Sequence, residues 1–402
     1  MHVLDSLHES NFRWYWLSGL CQAASQGMQF LILAWVVLEM TDDSSAKLGM
    51  MFFFYGVAHM FAMMIGGLAA DKMKRSTLMI YSQVGVIAIN VVLAGLIFLG
   101  NEKLWQVYVV AVALGLVQAI YIPSRIAIIS DLVSRKNVMN AMALNVVVVN
   151  GGRIIGPVVA GIVIDQYGTS QALLLVVAMC ILVTAFLLLV KYKQEISRTP
   201  SAGIFQELVL GLRYAWSKPA VRFVAFGNAV ISFFVFPYMQ LMPAFSKQVH
   251  GGSADDAGFL LMAASIGATL GNLILASLGN FRNKAKIFLS ITISFCLILI
   301  LFSWTPWYWP SWVLLLLVGM TSMTYLSIGM ALLQLLVPVE NRGRVTSVFT
   351  FGAPTMFMGT FPLGLMAGIY GWPVAFTTGA ILGLIFVMWQ GVWVPTMRRL
   401  SM

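Results

Sequence analysis

Twelve runs of about 20 apolar residues, separated by short polar stretches, divide the chain near 14–38, 46–70, 77–99, 104–126, 138–164, 170–190, 219–245, 256–278, 284–303, 309–333, 345–369 and 372–395. At 1.5 Å per helical residue, a run of that length crosses a hydrocarbon core of ~30 Å. The apolar residues run continuously instead of alternating over about 10 residues, which excludes a transmembrane β-barrel. The pattern therefore predicts an all-α integral membrane protein with twelve transmembrane helices. Met1 to Phe12 is polar and the apolar run after it is too long for a signal-peptide core, so the first helix is expected to stay in the membrane.

One long polar stretch, 191–218, separates six spans from six. Within it Ile204, Phe205, Leu208, Leu212, Ala215 and Trp216 recur at helical spacing against Gln206, Glu207, Arg213 and Lys218. That periodicity predicts an amphipathic helix on the membrane surface. The expected organisation is a six-helix half over 1–190, a linker over 191–218 and a second half over 219–402. The halves resemble each other: "LVSRKN" at 132–137 corresponds to "LVPVEN" at 336–341, and "DQYG" at 165–168 to "GIYG" at 368–371, at nearly the same offset. Two parallel six-helix halves are one arrangement of secondary transporters, with the substrate site at mid-membrane between them.

Composition agrees. Hydrophobic residues make up 60% of the 402 and charged residues 9%, against about 25% charged in soluble domains. The net charge of +10 would suit nucleic acid, but its distribution follows topology. One set of loops holds Lys72, Lys74, Arg75, Arg135, Lys136, Lys191, Lys193, Arg198, Arg213, Lys218, Arg282, Lys284, Lys286, Arg342 and Arg344, with Arg398 and Arg399 in the tail; the opposite set holds only Lys47, Lys103 and Lys247. This bias places both termini in the cytoplasm, in the plasma membrane or a bacterial inner membrane. It calls for anionic lipid, not nucleic acid, as a neighbour. Cys21, Cys180 and Cys296 lie far apart within spans and suggest neither a disulfide nor a metal site. No Gly-Lys dipeptide is present, so a P-loop and direct ATP drive are not expected; His8-Glu9 is not followed by a second His at Phe12, so the zinc-hydrolase motif fails too. Nothing implies an enzyme, a cofactor or a metal.

The polar residues inside spans carry the candidate chemistry. Gln22, Gln26 and Gln29 share one stripe of helix 1, Tyr55 and His59 one of helix 2, and Gln118, Tyr121 and Arg125 one of helix 4. Asn228 and Ser232 lie in helix 7 and Tyr325 in helix 10. Such stripes turn from lipid toward a cavity or toward neighbouring helices, and both readings stand here. Arg153, near the middle of helix 5, is the most informative residue. An arginine at that depth costs at least ~2.5–3.5 kcal/mol unless paired or hydrated. It contacts either substrate or coupling ion, or else a structural partner such as helix-end carbonyls. Asp165, 12 residues further on, is roughly 18 Å away and too distant to pair with it.

The loop after helix 2 reads "GGLAADKMKRSTL" over 66–78. Gly66 and Gly67 permit close backbone approach, and Asp71 among Lys72, Lys74 and Arg75 forms either a charge latch between helix ends or a solvated turn. The segment resembles the signature loop of the major facilitator superfamily. "PSRIAIISDLV" at 123–133, "NAMALN" at 140–145, "NGGRIIGPVVAG" at 150–161, "NFRWYWLSGL" at 11–20, "WVVLEMTDD" at 35–43 and "GLRYAW" at 211–216 are similar to its drug and siderophore exporter branch. The resemblance implies a gating role for Gly67, Asp71, Arg75 and Arg125. It also implies an occlusion hinge in helix 5 at Gly152, Gly156, Pro157 and Gly161, where proline bends the helix and glycine lets it pack.

The resulting expectation is a carrier, monomeric and surrounded by lipid, exporting a small amphipathic organic molecule by alternating access in exchange for protons. An uptake symporter or facilitator, or a lipid flippase, is the alternative. Proton coupling needs a titratable group, yet no Asp or Glu sits in the middle of any span. Related exporters often carry an acid after the glycine of helix 1, where this chain has Gly27-Met28. Glu39, at the end of helix 1, and His59, whose imidazole has an unperturbed pKa near 6.5, are the candidate proton carriers.

Overall fold

The computed structural model describes residues 5–72, 74–134, 137–191, 204–279 and 283–393. A 3-10 turn, Asp5–His8, leads into sixteen helices among the described residues: α1 Ser10–Glu39, α2 Ser45–Lys72, α3 Arg75–Phe98, α4 Leu104–Leu132, α5 Val138–Tyr167, α6 Thr169–Leu188, α7 Ile204–Ser217, α8 Pro219–Phe234, α9 Tyr238–His250, α10 Ala254–Ser277, α11 Lys284–Ser303, α12 Tyr308–Leu336, α13 Val339–Thr350, α14 Gly352–Met358, α15 Thr360–Tyr370 and α16 Trp372–Trp393. Twelve stretches are long and apolar enough to cross a bilayer, α8 with α9 forming one and α13 to α15 another. The protein is a multi-pass membrane protein, and α7 is the amphipathic helix expected between the two sets of six. Of the basic loop residues, Arg135, Lys136, Lys193, Arg198, Arg282, Arg398 and Arg399 lie outside the described residues.

Two spans read as single helices from the sequence are broken, and prolines account for the breaks. A proline has no N–H for the carbonyl four residues back and clashes with it. Pro354 denies that bond to Thr350, the last residue of α13, and Pro362 denies it to Met358, the last residue of α14. Pro237 stands at the start of α9, just after α8 ends at Phe234. Pro157, by contrast, lies inside an unbroken α5.

The chain forms two compact units. The first comprises Met1–Asp42, Val57–Ser201 and Gly252–Met262; the second comprises Asp43–Gly56, Ala202–Gly251 and Ala263–Met402. In the first unit α1 packs on α5 and α6, and α3 on α4 and α6. Phe12, Tyr15, Met79, Tyr121, Ile128, Ile129 and Val183 meet in one buried cluster. In the second unit α11 packs on α12 and α16, α8 on α14, and α7 on α13, around the rings of Phe236, Tyr238, Phe288, Phe295 and Tyr325.

Lipid tails are as apolar as the helix faces, so burial alone does not drive helices together; close packing and hydrogen bonds do. Small residues provide the packing. Gly152 and Gly156 of α5 lie directly on the backbone of α1 at Ala23, Ala24 and Met28. In the second unit Gly267 and Gly271 of α10 lie on Leu316 and Met320 of α12, and Gly319 of α12 on Ala264. A side chain at Gly152 would overlap Ala23, whereas one at Gly151 has nothing within 4 Å. Gly152→Val is therefore expected to cost at least about 1–3 kcal/mol by overpacking and to lower the melting temperature of the purified protein. Gly151→Val should leave it within error; equal effects would show that the α1–α5 contact does not limit stability.

Candidate functional site

The first unit contains a ladder of side-chain amides. Gln26 Nε2 donates to Gln118 Oε1 (2.9 Å), Gln118 Nε2 to Gln29 Oε1 (2.6 Å), Gln29 Nε2 to Asn90 Oδ1 (3.0 Å), and Asn90 Nδ2 to the carbonyl of Val86 (2.7 Å). A second link joins Gln83 Nε2 to Gln22 Oε1 at 2.5 Å. The stripe of α1 thus meets α3 and α4, which bring Gln83, Asn90 and Gln118 to it. Gln29 and Gln118 are buried, at 1% and 3% exposure, while Gln26 is half-buried. His59, buried on α2, is hydrogen-bonded to the backbone of Gly115 in α4.

Further along α4 the chemistry turns cationic. Arg125 Nη1 donates to Asn145 Oδ1 of α5 at 3.1 Å, and its carbonyl accepts the Tyr15 hydroxyl at 2.8 Å. Tyr121, one turn away, is buried within the apolar cluster. Arg153 lies eight residues beyond Asn145 on α5, about 12 Å along the axis and near the same face. Its side chain is exposed on α5, a position where bilayer energetics favours a water-filled space or a partner over lipid.

Packing fixes where Arg153 stands. One face of α5, at Gly152 and Gly156, lies on α1; another, at Pro157 and Gly161, lies on the first turns of α10 at Gly258, Ala254 and Asp255. Asp165 completes this contact: Oδ1 accepts the Ala254 N–H (3.1 Å) and Oδ2 the Asp255 N–H (2.9 Å), a carboxylate placed against a helix N-terminus that attracts anions. The four residues assigned to a hinge are thus interface positions on two sides of α5, with Arg153 between them.

The remaining site candidates belong to the second unit. Asn228 Nδ2 donates to the Phe349 carbonyl at 2.9 Å, next to the break between α13 and α14. Gly352 lies against the side chains of Asn228 and Ser232, with no room there for a larger residue. Tyr55 packs its ring on Phe357, centroids 4.7 Å apart. Tyr325, at 1% exposure, stacks on Phe288 at 5.0 Å, deep in the aromatic core. These residues form helix contacts within the unit.

At the helix ends Arg75 pairs with Asp131 of α4, Nη1 to Oδ2 2.6 Å, both about one-third exposed. The surroundings of Gly67 and the side chain of Asp71 lie outside the described residues. Glu9 accepts bonds from Ser134 and Asn137, tying the start of α1 to the α4–α5 connection. Glu39 is exposed at the end of α1.

The family model of the Major Facilitator Superfamily matches residues 15–356 and 224–400. The chain belongs to that superfamily. Among its curated relatives, the enterobactin exporter EntS of Shigella boydii serotype 18 is 24% identical over 356 residues, 88% of this chain and 84% of the relative. The EntS of an Escherichia coli O1:K1 strain matches to the same extent. The fold is similar to the solved nucleoside transporter NupG, at a TM-score of 0.77 and 12% identity over 95% of this chain and 99% of that one. It is also similar to the peptide transporter POT bound to alafosfalin, at 0.74 and 14% over 97% and 95%. These matches identify a member of a transporter superfamily with its fold, in keeping with the motifs at 66–78 and 123–161.

Sequence reading missed three members of this superfamily chain's polar framework. Gln83 and Asn90 stand seven apart on α3, a stripe that was there to be found; Asp131, within the quoted 123–133 segment, has no sequence signal naming Arg75 as its partner. Gln118→Leu removes the middle of the ladder, breaking two interhelical bonds of ~0.6 kcal/mol each. It also strands polar groups of Gln26 and Gln29, at about 1–3 kcal/mol apiece. A lowered melting temperature in detergent is expected, larger than for Gln26→Leu at the half-buried end; equal or absent losses would mean that the ladder does not hold the unit.

Proposed function

We propose that the protein exports a small amphipathic organic molecule by alternating access, in exchange for protons. The six-helix halves, 1–190 and 219–402, are the moving bodies and 191–218 is the linker. Support for the outward direction comes from the relatives, which are enterobactin exporters similar over most of the chain. The observation that carries the site is Arg153: an exposed guanidinium midway along a membrane helix, which bilayer energetics allows only beside water or a partner. Gln26 and Arg125, both half-buried, extend that polar surface. In this reading both termini are cytoplasmic, the membrane is a plasma or bacterial inner membrane, and a monomer surrounded by lipid is the working unit.

In this reading alternating access parts α5 from α10, at the close contacts of Pro157 and Gly161 and at the two N–H bonds that Asp165 accepts. Proton exchange is assigned to Glu39 and His59. Glu39, exposed at the end of α1, can reach solvent directly, whereas His59 must be uncovered from α4 to exchange a proton.

Everted membrane vesicles acidified inside and loaded with a pH-sensitive dye provide the test. Adding an exported compound should release protons and restore fluorescence. Arg153→Ala should abolish that signal while expression and melting temperature stay unchanged. Accumulation of the compound that persists after the pH gradient is collapsed would overturn antiport; intact transport by Arg153→Ala would remove this residue from the site.

A further inference from the structure

We infer that the transported molecule is an organic anion, and that Arg125 and Arg153 together form the seat for its negatively charged group. The inference rests on the reading of the protein as a carrier whose site includes Arg153. Three observations lead to it.

The first is the pairing of like charges. Arg125 of α4 reaches α5 through Asn145, and Arg153 stands eight residues further on, about 12 Å along the axis and near the same face of α5. Two guanidinium groups along one side of α5 set up a positive potential that favours an anion and disfavours a cation. Guanidinium is also the side chain best matched to a planar oxyanion, binding carboxylate, sulfonate or phosphate through paired N–H donors.

The second is the surrounding field. The sequence places no Asp or Glu in the middle of any span. Three carboxylates of this unit engage partners near the helix ends: Asp131 with Arg75, Asp165 with the amides of Ala254 and Asp255, and Glu9 with Ser134 and Asn137. The titratable side chains at mid-membrane in this unit therefore give a positive field.

The third is preorganisation. Gly152 and Gly156 fix α5 on α1, and Pro157 and Gly161 fix it on α10, so the Cα of Arg153 is held from both sides. A fixed backbone beneath the charge lowers the ordering that binding requires.

The test uses the full-length protein in detergent and a panel of amphipathic acids, such as 2-naphthoate and 2-naphthalenesulfonate. Each acid is matched with its neutral amide and with an amine of the same body, and binding is read by thermal shift. Acids are expected to bind at least about tenfold more tightly than their amides, the effect of one charge-assisted hydrogen bond, and amines not at all. Arg153→Gln and Arg125→Gln should each erase the preference for the acid, and Arg153→Lys should restore part of it. Monodispersity and an unchanged melting temperature without ligand establish that the variants fold. A panel in which amides or amines bind as well as acids, in which no acid binds, or in which the acids bind both Gln variants unchanged would overturn the inference. The carrier reading fails separately: acids that bind but show no vectorial flux in proteoliposomes would refute transport while leaving the anion seat intact.

Discussion

Inside a bilayer a polar group finds its partner within the protein or faces a water-filled space, because the lipid offers neither donor nor acceptor. The amide ladder of the first unit meets this condition through a one-way chain. Each amide N–H2 donates to the next carbonyl, and the last donor ends on a backbone oxygen, from Gln26 through Gln118, Gln29 and Asn90 to Val86. The direction matters, since a primary amide has separate donor and acceptor ends and each link fixes the orientation of the next. Three helices are thereby held in one register. Such a ladder has little spare capacity for ligand at its buried end, which leaves Gln26, half-buried, as its accessible member.

The same condition sets the role of α5. A charged side chain at its midpoint is tolerable only if the helix cannot rotate it into lipid. Glycines facing α1 and a proline–glycine pair facing α10 fix the rotation, and they do so through backbone contact that no larger residue could make. Pro157 adds a chemical detail: it has no N–H to offer the carbonyl of Arg153, four residues earlier, so the helix is softened at the turn that carries the charge. Positioning and potential for bending therefore coincide at one place, without a loop.

Most of the fold was legible in the sequence because its signals are long and one-dimensional. Continuous apolar runs gave all twelve spans, and helical periodicity gave α7. The breaks at Pro354 and Pro362 were not read, although their rule is local, because the apolar run continues through them and hydropathy does not respond to a lost hydrogen bond. The site was less legible. Gln22, Gln26 and Gln29 stood out as a stripe on one helix, but whether a stripe faces a cavity or another stripe depends on the register of helices far apart in sequence. Gln83 and Asn90 decide that question for α1. Tyr325 shows the opposite outcome: a polar-tipped residue in a span whose ring is absorbed by Phe288.

What separates Arg153 from these residues is energetic. An amide costs little enough to serve as interhelical structure, since one hydrogen bond in a membrane returns ~0.6 kcal/mol. A guanidinium at mid-membrane costs several times that. A second one, Arg125, bonds Asn145 on the same helix. Helix packing of this kind is achieved elsewhere in the molecule without charged side chains, as between α10 and α12, where glycines meet backbone and Ser327 bonds Asn272. Two cations are therefore a poor way to build a helix interface and an effective way to hold a mobile negative charge. In the function proposed above, proton coupling becomes a question of how occupancy of the proposed seat is sensed at the ends of the helices, where the carboxylates of the spans reside.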